Sequence, residues 1–353
     1  MQPRTLPPSS WYAASRIASS AWAAAVESGP SCSLRCLSSQ AAEPSSSASP
    51  EQIQSAFAYC VQQVRAYDKD NYGWMVQLPK ELRRPVFTLR AFNIETALIG
   101  EHVASKEAPL VQIRFQWWRD ALDTMFMGAA YPKHPVLTAL GAVLEQQQAA
   151  RAAGVGDTKK AKLSKYNLKK IIDTREADLL DAQPPLSIDG LEKYAEGTAS
   201  QLLYLQLGAA GVASREADHA ASHLGKAVGI STLLKGTAYH ARTRRSYLPL
   251  DLCAEHGVSQ EDVYSGNVSE GMRDVVHKVA SAAKAHLDEA RALQPKVPES
   301  ARPLMLSSVA CLSYLEALEK CEFDPFHTSL AKGGISPLWH ALQIKWHMLN
   351  KTY

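Results

Sequence analysis

The sequence is poor in most features that would assign it quickly. Its six cysteines stand at 32, 36, 60, 253, 311 and 321, without a CxxC pair or a metal-ligand cadence with histidine, which excludes a disulfide framework and a structural zinc module. Charge of one sign is missing too: 38 Lys and Arg against 35 Asp and Glu leave a net +3, too little for a nucleic-acid footprint. No long hydrophobic run occurs. The longest uncharged stretch, between Glu196 and Arg215, is interrupted by Thr198, Ser200, Gln201 and Gln206 and falls short of the ~20 predominantly apolar residues of a membrane span. Acids are scarce at the N-terminus, where Glu27 alone precedes Glu43, and absent between Leu224 and Asp251.

What is present fits a large globular body: 353 residues, 46% hydrophobic and 21% charged. Residues 1–45 differ from it. Rich in Ser and Ala, with Arg4, Arg16 and Arg35 spaced along the segment and Trp11, Tyr12, Ile17, Trp22 and Val26 available for one face, they have the composition of an organellar transit peptide and flexible lead-in. Composition leaves mitochondrion and plastid open.

From residue 51 to 353 the periodicity is helical. Phe57, Cys60, Val61 and Val64, then Val86, Leu89, Phe92, Ile94 and Ile99, then Val111, Phe115, Trp118, Leu122 and Phe126 mark three amphipathic helices. Further helices are expected near 134–152, 163–181, 188–211, 215–240, 270–293, 301–321 and 336–350. Without β-hairpin signals or a fixed repeat, the expectation is one all-α domain, an antiparallel bundle with a central cavity. In the last helix Trp339, Leu342, Trp346 and Leu349 share helical spacing; docking into the core is the commoner fate of such a stripe, a membrane surface the other. The lysine run from Lys159 to Lys170 reads as a solvated loop and helix start with local salt bridges, a docking surface being the alternative.

Several motifs occur in a fixed order. Leu78-Pro79 and Arg83 precede Ala91-Phe92; Gln116-Trp117-Trp118-Arg119-Asp120 is followed by His134-Pro135-Val136; Tyr194 precedes Gly197-Thr198; Leu224-Gly225 leads to Arg245 and Tyr247-Leu248-Pro249. Over nearly all of residues 53–350 this resembles the squalene/phytoene synthase family. That resemblance implies an isoprenoid-synthase-like helical bundle in which two aspartate motifs, each with carboxylates four residues apart on a helix, hold Mg²⁺ against a prenyl diphosphate. Carried over residue by residue, the first pair falls on Ala97 and Glu101, and the second on Gly236 and His240 with Lys235 before it. Three of the four carboxylates are missing, so the resemblance implies no metal, no cofactor and no catalytic residue here. Lys235, Arg242 and Arg245 are the candidates for a remnant anion pocket; the alternative for the arginines is solvated loop charge.

Further stretches, among them Arg90-Ala91-Phe92-Asn93, His219-Ala220-Ala221-Ser222-His223, His256-Gly257-Val258-Ser259 and Lys351-Thr352-Tyr353, resemble the branch of the family that serves the assembly of mitochondrial respiratory complex I (NADH:ubiquinone oxidoreductase). The resemblance implies a non-enzymatic assembly factor on the matrix side of the inner membrane, peripheral, with complex I subunits or assembly intermediates as partners, the inner-membrane surface as a further one and no nucleic acid. An active prenyl-diphosphate transferase with altered metal ligation and an isoprenoid- or lipid-binding protein stay open as alternatives. For Glu95 and Glu101, off one another's face, salt bridging at the cavity rim is the expectation; for Tyr239 and His240, a satisfied polar pair; for Trp117 and Trp118, packing.

Overall fold

The computed structural model describes residues 48–102, 108–153, 162–331 and 337–353. The transit segment 1–45, with Cys32 and Cys36, and Lys159 and Lys160 of the lysine run lie outside the described residues. Among the described residues all regular structure is helical.

Local signals start the helices. In α1 (Pro50–Tyr67) Ser49 and Gln52 form a reciprocal capping box, with Pro50 at the first position where a missing N–H costs nothing. After α2 (Lys69–Met75), α3 (Lys80–Ala97) buries Val86, Leu89, Phe92 and Ile94, and a short turn α4 (Ile99–His102) follows it. Helices α5 (Ala108–Phe126) and α6 (Pro135–Ala152) pack on α1 and α3 in one core cluster with α7 (Lys165–Leu180). A second cluster gathers around α10 (Arg215–Lys235), α14 (Glu270–Ala292) and α15 (Ser307–Lys320).

The two halves meet at α8 (Ile188–Ala195) and α9 (Gln201–Ala209), joined by a π-helical turn over Glu196–Ser200. Small residues permit that junction. A Cβ on Gly225 of α10 would lie 2.3 Å from Ser200 Cα, and one on Gly197 would lie 2.3 Å from Thr174 Oγ1 of α7. The turn's one acid is satisfied: Glu196 accepts from Tyr204 Oη at 2.7 Å and from Ser222 Oγ at 2.8 Å. Gly197 and Gly225, read from the sequence as parts of motifs, are thus sites of backbone approach.

The observed helices depart from the expected ones where the backbone is punctuated. The helix expected over 215–240 ends at Lys235, is capped by Gly236 and resumes as α11 (Thr237–Arg242). The helix expected from 301 begins as a 3₁₀ turn, Arg302–Met305, and α15 follows from Ser307. Helices α2, α12 (Leu250–Glu255) and α13 (Gln260–Ser265) escaped the reading because six or seven residues show too little period. After α16 (Thr328–Ala331), α17 (Pro337–Leu349) contradicts the docking expectation: Ile344 is its buried anchor, while Trp339, Leu342, Trp346 and Leu349 face outward.

Candidate functional site

The resemblance requires the segments carrying Ala97/Glu101 and Gly236/His240 to face one another, and they do. Tyr239 Oη of α11 donates to Glu101 Oε1 of α4 at 2.7 Å. Helix α3 stops at Ala97, so the two first-motif positions sit on either side of a helix break. Ala97 and Glu101 are exposed, and Ala97 contributes no donor atom.

On the facing side the two positions pack against each other. Gly236 caps α10 with φ −80° and ψ −5°. A Cβ there would lie 2.7 Å from His240 Nε2 and 2.9 Å from its Cδ2, so the imidazole occupies the space over the glycine. The His240 ring meets Tyr247 edge-on at 4.8 Å and Tyr239 at 5.5 Å. Burial, helped by the Arg245 charge, lowers its pKa from 6.5 to about 4, so the ring is neutral at pH 7. One carboxylate, one neutral imidazole between tyrosines and two positions without donors do not fit Mg²⁺, a hard cation that takes oxygen ligands in near-octahedral array.

Two of the three candidate cations are separately engaged. Lys235 forms an ion pair with Asp70, exposed on the surface, and Arg245 pairs with Asp178 at 2.9 Å. Arg242 is exposed and forms no ion pair among the described residues. Asp178 also accepts from Tyr247 Oη at 2.9 Å. Burial raises the Asp178 pKa while the Arg245 charge opposes the shift. One helical turn earlier on α7, the partly buried Arg175 donates to the Asn93 carbonyl, to Asn93 Oδ1 at 2.8 Å and to the Thr96 hydroxyl, all on α3. Desolvation lowers the Arg175 pKa and raises that of the neighbouring, partly buried Tyr194. A polar network from Asn93 through Arg175 and Asp178 to Arg245 and Tyr247 therefore lies beside the two motif segments.

A profile described as squalene/phytoene synthase matches residues 64–339. The chain belongs to the squalene/phytoene synthase family. Among its curated relatives, "NADH dehydrogenase (ubiquinone) complex I, assembly factor 6" of Rattus norvegicus is 40% identical over 287 residues, 81% of this chain and 81% of that protein. The homolog of the same name in Drosophila melanogaster is 37% identical over 282 residues, covering 77% and 78%. A dehydrosqualene synthase crystallised with ligand superposes with a TM-score of 0.69 over 85% of this chain and 99% of that one; at 17% identity the likeness establishes the fold.

Several residues take other places in this squalene/phytoene synthase fold than the sequence suggested. Glu95 is buried rather than salt-bridged at a rim: it accepts from Tyr59 Oη at 2.6 Å, and burial raises its pKa. Glu101 likewise has a tyrosine partner. Trp117 and Trp118 pack edge-on at 5.1 Å beside His134, as expected. In the described part of the lysine run Lys165 and Lys169 share Asp123 at 3.0 and 2.7 Å, in keeping with local salt bridges. A groove of about 180 Å³ between α3, α6 and the end of α9 touches none of the motif positions and is smaller than the 300–1,000 Å³ of typical ligand clefts. Sequence reasoning missed Arg175 and Asp178. The signal was available for Arg175, a charge in register with Leu168, Ile171 and Ile172 on the buried face of its helix.

Proposed function

We propose that this member of the squalene/phytoene synthase family is a non-enzymatic assembly factor for mitochondrial complex I, acting by binding subunits or assembly intermediates. Relatives at 37–41% identity carry that role in their names. The observation that carries the non-enzymatic half is Glu101. It is the only carboxylate left at the four positions the resemblance assigns, and its partner across the site is a tyrosine hydroxyl. Catalysis by metal-assisted diphosphate departure needs positive charge held where negative charge develops. Here Lys235 and Arg245 serve as counter-ions to Asp70 and Asp178, and His240 is a neutral packing group. The site is scaffold.

The reading extends to the address: import into mitochondria on residues 1–45 and a peripheral position on the matrix face of the inner membrane. No helix among the described residues is long and apolar enough to cross a membrane. Depletion of the protein is expected to lower complex I abundance and to accumulate assembly intermediates on native gels. Unchanged complex I would overturn the assembly role. Release of diphosphate from farnesyl or geranylgeranyl diphosphate by purified protein with Mg²⁺ would overturn the non-enzymatic one.

A further inference from the structure

Helix α17 holds five of the large exposed hydrophobic side chains of the described residues, Leu338, Trp339, Leu342, Trp346 and Leu349, each 53% to 75% exposed. At ~100° per residue they fall side by side in the order Leu338, Leu349, Leu342, Trp346, Trp339 across an arc of about 100°. The opposite face ties the helix down. Ile344 is buried, His340 Nε2 meets the Asp70 carbonyl at 3.3 Å, and beyond the helix Tyr353 is buried with its hydroxyl on the Ala290 carbonyl at 2.8 Å. The stripe is thus presented outward by a fixed helix.

Charge selects the occupant. From Pro325 to Tyr353 the sequence has no Asp or Glu, against Lys332, Lys345 and Lys351. Lys351 is paired with Glu299, whereas exposed Lys345 borders the stripe on its leucine edge. A second copy on this face would set two cationic segments against each other. An anionic bilayer surface answers both features: indoles favour headgroup depth, leucines the acyl boundary, and a lysine at the edge meets lipid phosphate. With 13 residues the helix is too short to span.

We propose that α17 is an interfacial docking helix that lays its Leu338-to-Trp339 stripe in the plane of an anionic membrane. The proposal rests on the peripheral membrane position proposed above and supplies the surface responsible for it. The test is co-flotation of the full-length chain with vesicles of phosphatidylcholine alone or mixed with phosphatidylglycerol. The wild-type protein is expected to float with the mixed vesicles. The W339Q/W346Q variant, altered only at exposed positions and checked for unchanged circular dichroism, is expected to lose roughly tenfold or more in partitioning. K345E is expected to weaken binding to mixed vesicles and leave the neutral ones unaffected. Residues 1–45 are common to all three chains, so the differences between them report α17.

Three results would overturn the proposal: wild-type protein that stays unbound, a W339Q/W346Q variant that floats like wild type, or a concentration-dependent dimer abolished by the same substitutions. Vesicle binding lost in the variant sustains docking even where depletion leaves complex I intact, so the two readings fail separately.

Discussion

Gly236 and His240 stand where the resemblance expects a pair of aspartates, and their packing predicts that substitutions at the two positions are coupled. Gly236→Ala is the smallest perturbation. The backbone there, φ −80° and ψ −5°, suits alanine, and removing a glycine from such a position ordinarily stabilises by about 0.4–1 kcal/mol. Here the new Cβ would lie 2.7 Å from His240 Nε2. The ring cannot swing aside freely, because Tyr247 and Tyr239 flank it. Overpacking of this kind costs about 1–3 kcal/mol, so the net effect is a destabilisation of about 1–2 kcal/mol. In a His240→Ala background the obstruction is gone, and the same substitution should stabilise by about 0.5–1 kcal/mol. Urea denaturation of the four proteins of the double-mutant cycle measures the coupling, expected near 2 kcal/mol. If Gly236→Ala is neutral or stabilising in the wild-type background, His240 does not fill the glycine's space and the reasoning fails. If the coupling is found, an aspartate placed at 236 alone would displace the ring before it could offer a carboxylate to a metal.

Other consequences can be read from stability measurements. Asp178→Asn leaves the largely buried Arg245 without its counter-ion and should cost about 2–3 kcal/mol; a loss below about 1 kcal/mol would mark the pair as an ordinary surface bridge. His134 and His240 are both held by burial at about 4 against an ordinary 6.5, so the native state binds fewer protons than the unfolded chain between those values. Their contribution is full above pH 6.5 and lost as pH falls through 4, by up to ~3 kcal/mol per ring. Asp178 and Glu95, raised by burial, work in the opposite sense, losing their contribution as pH rises, so the measurement is the difference between wild type and His240→Gln, which should shrink on acidification. A difference independent of pH refutes the assignment. Gly225→Ala drives a Cβ to 2.3 Å from Ser200 Cα and should cost about 3 kcal/mol by thermal denaturation; a loss under about 1 kcal/mol would mean that the contact between the π turn and α10 yields easily.

The long helices were legible because their apolar residues recur with the helical period over several turns, as at Val111, Phe115, Trp118 and Leu122 of α5. What escaped had a local cause. Gly236 reads as a weak helix position rather than a cap, and the apolar period does not tell the 3₁₀ turn Arg302–Met305 from the first turn of a helix. The composition of Glu196–Ser200 carries no mark of a π turn, and its close approach to Thr174 and Gly225 shows only in the structure. At the site, the family resemblance assigned the four motif positions, and the structure sets the two segments face to face. Partnership was beyond the reach of the resemblance. Nothing in the sequence links Lys235 to Asp70, 165 residues apart, or Glu101 to Tyr239, 138 residues apart, because such pairs are made by tertiary packing alone. The C-terminal stripe shows the same limit: its period was plain, and which side of the helix met the body was decided by Ile344 and Tyr353.

The central claim is that this family member supports complex I assembly without diphosphate chemistry, and Glu101→Gln tests it most directly. The amide keeps an oxygen to accept from Tyr239 and removes the one charge at the four positions that a metal could use. Cells depleted of the protein and supplied with the E101Q chain at wild-type abundance are expected to regain full complex I on native gels. A variant that accumulates normally yet leaves complex I at the depleted level would contradict the account.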